Sequence, residues 1–196
     1  MARARRTIPA AQGALFAAPS PPGLSFREEF VSPDEEAALL AEIARLAFKP
    51  FEFHGWTGHR ETVSFGWRYD FNQARAERAD PIPGFLLPLR ARAAEFAGLE
   101  PGSLEQSTVI RYRAGAGIGW HRDRPLFDKV FGLSLLAPCV LRFRRRRAGG
   151  FERFALDARP RSAYLLSGEM RHEWEHGITP MSTPRYSITF RNRAAT

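Results

Sequence analysis

The chain has 196 residues, the size of one ordinary domain. With 44% hydrophobic and 26% charged residues it is not disordered throughout, and no apolar run approaches the ~18 residues of a membrane span. One cysteine, Cys139, excludes an intrachain disulfide and a multi-thiolate zinc site and fits a reducing compartment such as the cytoplasm, while a net charge of +8 favours a polyanionic partner.

Residues 1–23 are rich in Arg, Ala and Pro and read as a flexible basic tail, with an organellar transit segment as the alternative reading. Residues 24–196 then form the folded domain. Ser32, Pro33 and Glu35 form a capping box ahead of a helix that places Leu39, Leu40, Ile43, Leu46 and Ala47 on one face. A second helix is expected over 82–96, with Ile82, Phe85, Leu86, Leu89, Ala93 and Phe96 on one face and Gly98 as its stop. After Gly102 short β-rich runs follow one another: 107–113, 129–136, 140–144, 151–156, 163–167 and 186–191. Such spacing points to a sandwich, barrel or jelly roll. The expected class is α+β, a helical front half supporting a β-rich back half.

The chemistry gathers in that back half. His121 and Asp123, two apart on an extended segment, project to the same side and can share one metal ion. They follow the loop containing Gly115, Gly117 and Gly119, and a distant histidine is available at His172 or His176. Two histidines and one carboxylate make the facial triad of non-haem iron(II) oxygenases. Alone, His-x-Asp also fits an ordinary surface loop. In the last run, Arg185, Ser187, Thr189 and Arg191 share one face, and Tyr186, Ile188 and Phe190 the other. The two arginine Cα atoms lie roughly 20 Å apart at about 3.3 Å per residue. Side chains of about 6 Å, bent inward, leave a gap the length of a five-carbon diacid. The competing reading sets both arginines in solvent.

His121-x-Asp123, then Trp174-Glu-His176-Gly-Ile, then Arg185-Tyr-Ser-Ile-Thr-Phe-Arg191, resembles the AlkB-like branch of the iron(II)/2-oxoglutarate dioxygenases over roughly residues 50–193. The resemblance implies a double-stranded β-helix core at about 104–193 and a nucleotide-recognition lid at about 50–72. It implies iron(II) on His121, Asp123 and His176, with 2-oxoglutarate and dioxygen as cosubstrates. Arg185 and Arg191, with Tyr112 and Ser187 nearby, would steady 2-oxoglutarate. Trp56, in Gly55-Trp56-Thr57 beside His59-Arg60, and then Tyr69 would stack on the substrate base; Phe65 and Trp67 are further aromatics of that segment. The implied activity is oxidative demethylation of N-alkylated bases in single-stranded or flipped nucleic acid, in DNA repair or on RNA, by a monomer. A protein side chain is the alternative substrate.

Three positions depart from the DNA-repair members. Ile110 and Ser187 stand where asparagines are common near the cosubstrate, and Pro125 replaces an acidic residue that helps read the damaged base. His172-Glu-Trp-Glu-His176 is also a literal zinc metallopeptidase pattern, which requires a helix and a third ligand; no His, Asp or Glu follows His176. His176 is preferred to His172 because it matches the family's His-x-Ile context. A nucleic-acid-binding module without turnover is the remaining alternative, opposed by the complete set of motif residues. Arg142 and Arg144–Arg147 form a cation run suited to phosphates or to a solvated hairpin tip. Cys139, inside an apolar run, is expected in the core.

Overall fold

The computed structural model describes residues 20–53, 56–70 and 75–194, with side chains omitted at 52, 53, 56–58 and 70. Strand β1 (Leu24–Arg27) leads into α1 (Pro33–Ile43). The capping box is present: Ser32 Oγ accepts from the Glu35 N–H and the Glu35 carboxylate accepts from the Ser32 N–H. Next come β2 (Lys49–Phe53), β3 (Trp56–Phe65), β4 (Trp67–Asp70) and β5 (Arg75–Arg78). The helix expected over 82–96 starts later. A 3₁₀ turn at Gly84–Leu86 precedes α2 (Leu87–Phe96), because Pro81 and Pro83 hold the preceding chain extended.

The remaining strands are β6 (Gln106–Tyr112), β7 (Ile118–His121), β8 (Phe127–Leu135), β9 (Cys139–Arg147), β10 (Gly150–Ala158) and β11 (Ala163–Leu166). A short helix, α3 (Gly168–His172), then leads to β12 (Glu175–Ile178) and β13 (Arg185–Arg193). The main sheet has the order β1-β11-β8-β13-β6-β3-β2 and the smaller sheet β10-β9-β12-β7, while β4 and β5 pair separately. The two sheets form the jelly roll, and the helices cover the outside of the larger one. The front half is therefore not only helical: β1, β2 and β3 join the main sheet. Pro50 and the charged residues of β2 and β3 hide that membership from a composition reading.

Two apolar clusters follow from strand alternation. Ile188 and Phe190 of β13 face outward and pack with Val109, Phe131 and Leu133 beneath Leu39, Ile43, Leu89 and Ala93 of the helices. The intervening Arg185, Ser187 and Thr189 face the interior between the sheets and are buried. That interior also holds Tyr112, Cys139, Leu141, Phe143, Tyr164 and Trp174. Cys139 is buried, as expected. Gly132 of β8 lies directly under the Tyr164 ring, so a Cβ there would stand 2.2 Å from Tyr164 Cζ. No helix among the described residues is long and apolar enough to cross a membrane. Residues 1–19 of the expected tail lie outside the described residues, and the Gly23 carbonyl accepts from the Ser167 N–H at 2.8 Å.

Glu61 on β3 fastens that strand to β6, accepting from Arg111 at 2.7 Å and Arg113 at 2.6 Å. The hydrogen bonds from Arg113 and Arg111 lower its pKa to about 2. A carboxylate depressed in the folded state stabilises above its unfolded pKa and loses that contribution as pH falls toward the folded value. Glu61→Gln should therefore cost on the order of 1 kcal/mol at neutral pH, after discounting the exposed Arg113, and nothing near pH 2. Urea denaturation across that range checks the convergence.

Candidate metal centre

β7 and β12 are antiparallel neighbours, and their register sets His121 opposite His176. Both strands are four residues long, and Gly177 lets them approach. A Cβ at Gly177 would stand 2.9 Å from the Ile118 carbonyl oxygen and 3.2 Å from that of Gly119. The two imidazole centroids are 4.2 Å apart. Asp123, just past the end of β7, turns its carboxylate to the same point, with Oδ2 3.6 Å from His176 Nε2. Among the described residues, His121, Asp123 and His176 are the one set of three such side chains whose donor atoms all lie within 4.8 Å of one another.

The surroundings fix the donor form of each group. The Gly119 carbonyl lies 2.9 Å from His121 Nδ1, so Nδ1 carries the proton and Nε2 offers its lone pair. Burial lowers the pKa of His121. Burial, and then His121, push His176 down to about 3. Burial alone would raise the Asp123 pKa, but the Arg191 guanidinium above all overcomes it and holds the carboxyl ionised. Asp123 Oδ2 is buried without a hydrogen-bond partner. Two neutral imidazoles and a carboxylate with an unmet lone pair are the donor set a divalent transition metal takes, so these residues fit iron(II).

The two arginines of β13 divide their work. Arg191 donates to Asp123 Oδ1 from Nε at 2.9 Å, with Nη2 2.8 Å away, and reaches Gln106 Oε1 and Thr189 Oγ1 from Nη1 at 2.9 Å each. Its fork orients the carboxylate. Arg185 is 1% exposed, donates to Ser134 Oγ at 3.1 Å and stands 5.2 Å from the Tyr112 ring centroid. Its Nη1 is buried without a hydrogen-bond partner, and no carboxylate pairs with it among the described residues. A buried guanidinium is costly unless it meets an anion. Tyr112 sits opposite Arg185 across β6–β13, and Ser187 lies between Ile110 and Ser134 in the same register. Their spacing along the strand leads one to expect a diacid held between two equivalent arginine ends. The structure places an unmet N–H on Arg185 and ties Arg191 to Asp123.

The other expected site residues fall as follows. Trp56 begins β3, but its side chain lies outside the described residues, as does Gly55. Tyr69 on β4 stacks with Arg124, whose Cζ is 4.5 Å from the ring centroid, so it borders the loop after Asp123. Arg60 lies near enough to Tyr112 and His121 to act on the charge of both. His172 ends α3, while His176 lies in β12, so the two do not share a helix face. His172 Nε2 lies instead 3.4 Å from Asp128 in an exposed pair. The metallopeptidase reading thereby loses its geometry. His172→Ala should leave metal content unchanged when the purified protein is analysed; loss of metal would move the distal ligand to His172.

Sequence reasoning missed four residues here: Gln106, Ser134, Tyr164 and Arg171. Arg171 is 3% exposed and donates from Nη2 to the carbonyls of Arg124 and Phe127, both at 2.6 Å. It clamps the loop that follows Asp123.

Residues 28–191 match the 2OG-Fe(II) oxygenase superfamily. The chain is 31% identical over 183 residues to the alkylated DNA repair protein ALKBH8 homolog of Arabidopsis thaliana, a match covering 80% of this chain and 51% of that protein. It is 30% identical over 172 residues to the tRNA (carboxymethyluridine(34)-5-O)-methyltransferase alkbh8 of Xenopus tropicalis, covering 82% of this chain and 26% of that one. The chain thus spans about half the length of the first relative and about a quarter of the second. Its fold is similar to that of OsALKBH1, with a TM-score of 0.72, 15% identity, and coverage of 90% of this chain and 99% of that one. The converging His121, Asp123 and His176, the jelly roll that brings them together and the family match over most of its length agree: the chain belongs to the 2OG-Fe(II) oxygenase superfamily, in its AlkB-like branch.

Proposed function

We propose that this chain is an iron(II)/2-oxoglutarate-dependent dioxygenase that oxidatively removes N-alkyl groups from nucleic-acid bases. The observation that carries the reading is the pairing of a half-buried three-donor site with a buried guanidinium that lacks an anion. His121, Asp123 and His176 would hold iron(II). Arg185 would take the distal carboxylate of 2-oxoglutarate, with Tyr112 and Ser187 beside it and Arg191 steadying the metal end through Asp123.

Bound there, iron(II) and 2-oxoglutarate let one dioxygen oxidise an N-methyl group to formaldehyde and the N–H base, while the cosubstrate becomes succinate and carbon dioxide. The protein's part is position and field. The Gly119 carbonyl fixes the His121 tautomer, Arg191 fixes the Asp123 carboxylate, and Arg171 fixes the loop behind it. Burial keeps both imidazoles neutral, so the ligands need not lose protons when metal enters near neutral pH.

A nucleic-acid substrate is supported by the net charge of +8 and by the nucleic-acid roles named in both relatives. The site walls also favour a neutral base over a cationic one. Arg60 acts on His121 and Arg171 on Asp123, charges left over once the cosubstrate meets Arg185, and Pro125 supplies no carboxylate to meet a cation. In this reading residues 24–196 are one catalytic domain with its core at about 104–193. Residues 50–72, carrying Trp56 and Tyr69, close over an extruded base, and the protein acts as a cytoplasmic monomer. Unstacking a duplex base costs a few kcal/mol, so single strands are the better substrates.

The test is formaldehyde and succinate release from DNA and RNA oligonucleotides bearing neutral or cationic N-methyl bases, beside methylated peptides at equal concentration. Formaldehyde is expected from oligonucleotides, most from single strands with neutral lesions. Formaldehyde from peptides alone would overturn the substrate and leave the cofactor chemistry standing.

A further inference from the structure

Strand alternation divides the arginine run of β9 between two surfaces. Arg145 and Arg147 point one way and are neutralised. Arg145 meets Glu152 at 2.9 Å, Glu173 at 3.1 Å and Glu169, and Arg147 meets Glu152 at 2.9 Å. Arg142, Arg144 and Arg146 point the other way, onto the outer face of the smaller sheet. Arg153 of β10 joins them through its pairing opposite Arg144.

On that outer face the cations lie against aromatic rings. Arg142 and Arg144 stand 5.0 and 4.6 Å from the Trp120 centroid. Arg144, Arg146 and Arg153 stand 4.6, 5.6 and 5.8 Å from that of Phe151. Only Arg144 has a carboxylate, Glu175 at 2.6 Å; among the described residues none pairs with Arg142, Arg146 or Arg153. Arg142 Nε is buried without a hydrogen-bond partner. Trp120, Arg142, Arg153 and Ala155 also line a cleft of about 300 Å³.

A guanidinium resting on a ring keeps its N–H edge outward in a fixed plane, ready for a planar or tetrahedral oxyanion. Because the side chain is already ordered, less entropy is lost on contact. Interleaved rings and unpaired guanidinium groups are the recurring means of holding single-stranded nucleic acid without reading its sequence. Trp120 adjoins His121 and Gly177 adjoins His176, so this face backs directly onto the metal centre through one sheet.

We infer that the outer face of the smaller sheet is a second nucleic-acid contact. Arg142, Arg146 and Arg153 bind phosphates of a strand segment flanking the one presented at the metal centre. The inference rests on the nucleic-acid reading above and adds a surface outside the catalytic mouth. It also predicts which cations matter: Arg142, Arg146 and Arg153 of the outer face, not the carboxylate-paired Arg145 and Arg147.

The experiment compares the full chain with the triple variant Arg142→Gln, Arg146→Gln, Arg153→Gln. Binding of an unmodified single-stranded RNA is followed against salt by fluorescence anisotropy. Each lost phosphate contact on a single strand lowers the slope of log affinity against log salt by about 0.7, so the triple variant should lose about 2. Uncoupled 2-oxoglutarate consumption should be unchanged, which shows that the fold and centre survive. The corresponding triple lysine variant should keep most of the slope. RNA binding by the parent with no loss of slope in the glutamine variant would overturn this surface alone. No RNA binding by the parent would instead overturn the nucleic-acid reading. Competition by polyglutamate as strong as by RNA at equal charge would also overturn the inference, since the face would then accept any polyanion.

Discussion

Asp123→Asn is expected to abolish iron retention and turnover while the fold persists. The side chains of Asp123 and Arg191 are only 10% and 13% exposed, so they form a buried ion pair. Deleting one partner of such a pair costs about 3–5 kcal/mol, which would confound Asp123→Ala with unfolding. Asparagine keeps an oxygen for the Arg191 hydrogen bonds and removes the anionic donor. Gln106 and Thr189 still engage Arg191 Nη1. The protein should therefore melt cooperatively, with metal content and succinate production at background. Activity near the parent level in the asparagine variant would remove Asp123 from the ligand set.

Arg185→Met should raise the apparent Michaelis constant for 2-oxoglutarate about 100-fold, the loss of a buried charge-assisted contact worth roughly 3 kcal/mol. The same variant carries a less intuitive expectation. Without cosubstrate, Arg185 is a buried cation with an unmet N–H. Replacing it by an apolar side chain of similar length should leave the cosubstrate-free protein at least as stable as the parent. Added 2-oxoglutarate should stabilise the parent by mass action and leave the variant unmoved. Thermal melts with and without 2-oxoglutarate read both effects. A variant that is destabilised without cosubstrate, yet binds 2-oxoglutarate as the parent does, would make Arg185 purely structural.

What the sequence disclosed depended on range. His121-x-Asp123 and the alternating Arg185–Arg191 strand are local patterns; the faces of the arginine strand follow from the period-two rule, whereas Asp123 lies just past β7 and is turned to the site by its loop. The capping box at Ser32 was legible for the same reason. The strands Ile118–His121 and Glu175–Ile178, which carry two of the three candidate ligands, are four residues long and each contains a glycine. Neither has the β-propensity or length to announce itself; β12 is held between β9 and β7, and β7 is an edge strand held by β12. Ser134 and Arg171 reach the site from β8 and α3, and no spacing rule links them to it. The division of the arginine run was not read from the sequence, because the expected strand ended at 144. β9 runs on to Arg147, and along that longer strand parity sets Arg142, Arg144 and Arg146 opposite Arg145 and Arg147.

The central claim is that one iron(II) and one 2-oxoglutarate share the pocket formed by His121, Asp123, His176 and Arg185. It is tested most directly by reconstituting the protein with iron(II) in the absence of oxygen and titrating in 2-oxoglutarate. The visible absorption band of the iron(II)–2-oxoglutarate chelate should grow to a stoichiometry of one per chain. It should be absent in Asp123→Asn, and in Arg185→Met it should require about 100-fold more 2-oxoglutarate. A parent protein that shows no band, or an Asp123→Asn variant that shows it undiminished, would contradict the account.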